Sequence, residues 1–160
     1  MQTDSMKSVC FSLVALLFVT LQVQAQSGQT APGSSSCMVR IVDPAKGAPV
    51  EGSGLVSGKA ALPANGHLWI FAHLKTLNGS WWPQGGGEAE VQNGAFSVTV
   101  VYGSADDVGD FEIAAVVVND ATSKMLDHWV DTAPARNYAP THFPPALDGC
   151  VPVRLMVVKR

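Results

Sequence analysis

Beyond residue 36, apolar residues recur two apart along most of the chain, separated by clusters of Gly, Pro, Asn and Asp. That is the pattern of short β-strands joined by turns. Val39 and Ile41 alternate with Arg40, and Asp43-Pro44, Gly47 and Pro49 end that run. Leu55 to Ala60 is a second strand. After Asn93-Gly94, Phe96, Val98 and Val100 face one way and Ser97 and Thr99 the other, as in a half-buried strand. Two runs break the alternation. His67 to Leu74 carries Leu68, Ile70, Ala72 and Leu74 on one face, and His67, Trp69, Phe71 and His73 on the other. Phe111 to Asn119 is apolar on both faces too. Such runs predict central strands covered on both sides. Asn78-Gly79 predicts a tight type I′ hairpin leading into Trp81-Trp82, and Asn93-Gly94 predicts a second. Glu88 to Val91, between them, reads as a short edge strand blunted by its glutamates.

The period changes once. Asp120 reads as an N-cap, and in Ala121 to Val130 the residues Met125, Leu126, Trp129 and Val130 gather on one side of a helix. Asp131 to Gly149 follows, with Pro134, Pro140, Pro144 and Pro145 interleaved with Tyr138, His142 and Phe143. The last strand is Cys150 to Lys159. A connection this long without structure of its own is uncommon unless it is functional or wrapped on the body. The outer faces of the two central strands need a cover, so the insertion is expected to fold back over them.

Short strands at regular spacing favour two packed sheets. The run Ile41 to Val50 followed by Val56 to Ala60, then Leu68-Trp69-Ile70, Trp82-Pro83-Gln84 and Phe111-Glu112-Ile113, resembles small immunoglobulin-like domains of bacterial exported proteins. The resemblance covers about Cys37 to Asn119 and the last strand. It implies an all-β, immunoglobulin-like two-sheet sandwich with a short helix and Pro-rich insertion before the last strand. That fold hosts adhesion, carbohydrate-binding and accessory modules without a shared active site. The inter-sheet disulfide of antibody domains is absent, because neither Cys37 nor Cys150 lies in the second or sixth strand.

Ahead of the domain, Lys7, the apolar run Val9 to Val23, and Val23-Gln24-Ala25 form a secretory signal over residues 1–25, with Met1 or Met6 as the start. Residues 26–36 are Gly/Ser-rich and predict a disordered linker, leaving 37–160 as the folded domain. Export to the periplasm or beyond the cell follows, with no stable membrane anchor once the signal is removed. Cys10 leaves with the signal, so Cys37 and Cys150 remain as a pair in an oxidising compartment. Each opens a strand, and parallel first and last strands lying side by side would bring them together as a structural disulfide. With 10 basic and 13 acidic residues and no basic cluster, nothing points to nucleic acid.

Candidate chemistry is sparse. His67 and His73 share a strand face but stand about 20 Å apart at strand rise, too far for one metal. Asp106, Asp107 and Asp110 lack a calcium-loop pattern and read as a solvated turn. No metal or cofactor is expected. Asp127 and His128 are adjacent on a helix and cannot face each other. The strongest candidates are Trp81 and Trp82: neighbours on a strand point to opposite faces, so at most one enters a given core. The other is either covered by the helix or the Pro-rich segment, or exposed and suited to stacking on a sugar or anchoring a protein, with Tyr138 and Phe143 as further aromatic candidates. The expectation is a non-catalytic binding or accessory module for a protein or glycan partner, its oligomeric state open. The alternative is a small secreted hydrolase using His128 or His142.

Overall fold

The first strand leaves its sheet after six residues. In the computed structural model, which describes residues 37–160, β1 (Met38–Asp43) pairs antiparallel with β3 (Ser53–Ala61). Beyond Asp43-Pro44 the chain crosses to the other sheet, where β2 (Pro49–Val50) runs parallel to β8 (Val153–Lys159). The remaining strands are β4 (His67–Leu74), β5 (Trp82–Pro83), β6 (Ala95–Val101) and β7 (Gly109–Val118). The result is an all-β sandwich of a three-stranded sheet, β1-β3-β6, and a five-stranded sheet, β2-β8-β7-β4-β5. The signal peptide and linker expected from the sequence, and Cys10, lie outside the described residues.

Between the sheets, the even-numbered residues of β4 (Leu68, Ile70) meet Val56, Phe96, Val100 and Ile113, all fully or nearly fully buried. The odd-numbered face of β4 lies on the far side. Trp69 and Phe71 are 0% exposed there, so another layer covers them. That layer is the insertion. Helix α1 (Asp120–Thr132) packs Leu126 and Val130 against Trp69, Val116 and Val118. The buried Trp69 indole donates to Ser123 Oγ (3.0 Å), giving an otherwise costly N–H its partner. Met125 is turned about one-third of a turn from Leu126 and stands 65% exposed, so it is not on the packing face expected for it. The N-cap is Asn119 rather than Asp120: Asn119 Oδ1 accepts from Thr122 N (2.9 Å).

After α1 and a 3-10 turn (Pro134–Arg136), the Pro-rich segment crosses the same face as a strap. Thr141 exchanges backbone hydrogen bonds with Trp81 (3.0 and 2.9 Å), and Leu147 N donates to Val117 O (2.7 Å) at the other end. Prolines suit this path because each residue lacking an N–H needs no partner. Beneath the strap, Phe143 packs 5.5 Å edge-on to Phe71 and 4.7 Å from Trp81. Arg154 of β8 lays its guanidinium 4.6 Å over Phe143 and 5.2 Å over Trp81. It is held by Glu112 (3.2 Å), which Lys75 also reaches (3.4 Å), so the buried carboxylate faces two cations.

The Cys37–Cys150 disulfide is present, with Cα atoms 5.2 Å apart. It does not join neighbouring strands. β1 and β8 belong to opposite sheets, and the bridge spans the sandwich just before each begins. Two turns behave differently from each other. Asn93 and Gly94 both take positive φ (51° and 72°), and Gln92 and Ala95 exchange hydrogen bonds around them, as a type I′ turn requires. At Asn78-Gly79 only Gly79 has positive φ (71°), and the reversal is a longer loop from Leu74 to Trp82. Glu88 to Val91 forms no strand; Ala89 N donates to Leu68 O (2.7 Å), so the segment lies along β4 as a covering loop.

Candidate binding cleft

β5 ends after Trp82 and Pro83, and its shortness opens the edge of the five-stranded sheet. The longer reversal decides what the tryptophans do. Trp81 precedes β5, pairs with Thr141 and is 6% exposed, stacked between His73 (4.7 Å) and Phe143. Trp81 and Phe143 therefore serve the packing under the strap and are not offered to a ligand. Trp82 is half-buried and points the other way, into an open cleft of about 830 Å³. Tyr138 (59% exposed) and the half-buried Trp129 line the same cleft, with Leu77 and Val101 opposite. Of the four aromatic candidates read from the sequence, two meet here and two do not. The helical period places Trp129 on the packing face; its position in the last turn of α1 sets it at the margin instead.

Two backbone carbonyls fix the rings. Trp82 Nε1 donates to Tyr138 O (2.8 Å) and Trp129 Nε1 donates to Ala139 O (3.1 Å). Asn137 and Tyr138 both take φ of 51°, a left-handed turn that delivers those carbonyls. With both indole N–H groups committed, what the cleft presents is ring face and edge. On the floor, buried Gln84 joins the sheets: its Oε1 accepts from Val101 N (2.8 Å) and its Nε2 donates to Trp82 O (3.0 Å). Gly85, with φ +77°, sits where a Cβ would lie 2.5 Å from Val98 Cγ1, so only glycine lets the wall close on β6. Asp107 accepts from Ser104 N (2.7 Å) and Oγ (2.9 Å), which holds its carboxyl below the usual range.

The histidines do not converge. His73 is buried, with Nδ1–H donating to Ser80 O (2.8 Å). His67 lies between two carboxylates, Nδ1 2.8 Å from Glu88 Oε2 and Nε2 2.8 Å from Asp120 Oδ1. Only the doubly protonated ring has a donor for both, and its hydrogen bond to Asp120 leads the contacts that raise its pKa. The two oxygens stand on opposite ring nitrogens and cannot share a metal with it. His128 and His142 are exposed, and neither imidazole is paired with a carboxylate among the described residues. Among those residues no three His, Cys, Asp or Glu side chains are grouped to hold a metal. In the acidic turn Asp107 is tied to Ser104, while Asp106 and Asp110 are exposed.

No protein-family model and no curated protein matches the chain. Among solved structures it is similar to an engineered protein whose crystal structure was determined at 1.98 Å, with 13% identity and a TM-score of 0.41. The match covers 78% of this chain but 20% of that one, so the chain spans about a fifth of that protein's length.

Proposed function

We infer that this is an exported, immunoglobulin-like binding or accessory module that captures a protein or glycan partner through the Trp82–Trp129–Tyr138 cleft. The observation that carries the reading is the fixed presentation of these rings: both indole N–H groups are bonded to the strap, and the ring surfaces face open space. A pre-set aromatic surface binds without the ordering cost of free side chains, which favours recognition. Support for export comes from the disulfide, which persists in an oxidising compartment. The strand order supports the immunoglobulin-like assignment, with the first strand divided between the sheets.

The test is a double substitution, Trp82→Ala with Tyr138→Ala, measured against immobilised polysaccharides and unstructured peptides. Wild-type binding to at least one class, lost in the variant while the far-UV circular dichroism spectrum is kept, is the expected result. Binding unaffected by the double substitution would move the function away from this cleft.

A further inference from the structure

Among the described residues β6 is the outer strand of the three-stranded sheet, with β3 on one side of it and no strand on the other. Its hydrogen-bonding groups show which residues look outward. Tyr102 N, one residue beyond β6, donates toward β3 at Gly52 O (2.9 Å). Val101 N turns the other way, to Gln84 Oε1 (2.8 Å), as does Ala95 N, to Gln92 O (2.9 Å). These directions alternate along a strand. The N–H and C=O of Ser97 and Thr99 therefore also face outward, and no partner meets them among the described residues.

Proteins blunt such an edge with a charged residue, a proline, a bulge or a cover. β6 reads AFSVTVV, without charge or proline, and pairs with β3 in unbroken register. Beside it runs Gly85-Gly86-Gly87. A Cβ at Gly86 or Gly87 would meet nothing within 4 Å, so a wall without side chains borders open space. That space, about 530 Å³, is flanked by Glu88 and Glu90 and continues past Thr99 and Val101 into the aromatic cleft. Across both regions the charged lining residues are Glu88, Glu90 and Asp107, all acidic.

We propose that this groove takes an extended, basic polypeptide segment, added to β6 as a further strand. Its backbone bonds to Ser97 and Thr99, its Lys or Arg side chains lie against Glu88 and Glu90, and an aromatic or aliphatic side chain enters the Trp82 cleft. This rests on the cleft being the binding site, and it names the partner's chemistry. A second copy of this chain fits the charge poorly, since pairing two β6 edges brings two acidic grooves together. Backbone pairing supplies affinity, and the side-chain subsites at either end supply register.

The probe is a pair of capped heptapeptides of alternating threonine and valine, with two lysines at one end and a tyrosine at the other, made in both sequence orders. They are titrated by calorimetry into the full chain with its disulfide intact. Saturable binding is expected in one order, weakened about tenfold or more when the lysines become glutamates and weakened again in high salt. N-methylation of the alternate peptide amides that face β6 is expected to abolish it. Thr99→Pro removes one outward N–H while leaving the β3 side of the ladder intact, so it should lose the peptide and keep the wild-type spectrum. If that variant fails to fold, the N-methylated peptides decide the question alone. Binding insensitive to N-methylation, or no binding of either order, overturns strand addition. If chito- or cello-oligosaccharides then bind in a Trp82-dependent way, the cleft stands and its partner is a glycan. If they too fail, both readings fall.

Discussion

Trp81→Ala and Trp82→Ala should separate a packing residue from a binding one within a single dipeptide. Trp81 is 6% exposed and touches His73, Phe143 and the Arg154 guanidinium. Truncating a buried tryptophan to alanine costs about 3–5 kcal/mol, and here the strap above it also loses a ring to rest on. Trp82 is half-buried and keeps one hydrogen bond, to Tyr138 O, so its removal should cost about 1–2 kcal/mol. For a domain of this size each kcal/mol moves the midpoint by roughly 3–5 °C. Trp81→Ala should then melt about 10–25 °C below the wild type, and Trp82→Ala within roughly 10 °C of it. Thermal and urea unfolding of the disulfide-intact protein, followed by circular dichroism, measures both. A Trp81→Ala variant melting within a few degrees of wild type would show that the strap does not bury it, and the third layer would have to be abandoned.

The His67 clasp gives a pH dependence with a definite sign. Because its folded pKa is raised above 6.5, its contribution is fully present below about pH 6.5 and is lost as pH rises through the folded value. Urea midpoints should therefore decline over that interval in wild type, and His67→Gln should flatten that part of the profile. Glu88 and Asp120 are the charged groups facing the ring, so Asp120→Asn should reduce the same slope. Mass spectrometry of non-reduced protein should find Cys37 joined to Cys150, and two free thiols would refute the bridge. It closes a loop of sequence separation 113, so replacing both cysteines by serine should cost on the order of 4–5 kcal/mol, less whatever the native geometry gives back.

Alternation of apolar and polar side chains determined most of the longer strands by itself, because side-chain direction along a strand follows position alone. The doubly apolar runs at His67–Leu74 and Phe111–Asn119 likewise announced central strands needing cover on both faces, and the insertion was the apolar segment left to supply it. The type I′ turn at Asn93-Gly94 was legible too, since both residues tolerate positive φ. The Asn78-Gly79 pair carries the same local signal, yet tertiary packing overrode it. The strap takes Trp81 as its pairing partner and Ser80 O bonds His73, so the reversal runs longer and Trp81 is drawn inward. The cysteine pairing was readable from count and compartment, but the reason for it was not. Chain crossing at Asp43-Pro44 sends β1 and β2 into different sheets, a choice that no local pattern encodes. The cleft was the least legible part. Trp82 is far in sequence from Trp129 and Tyr138, and the helical period alone assigns Trp129 to the packing face. Only the path of the strap, which spends both indole N–H groups on its own carbonyls, decides that these rings converge and which of their surfaces remain free.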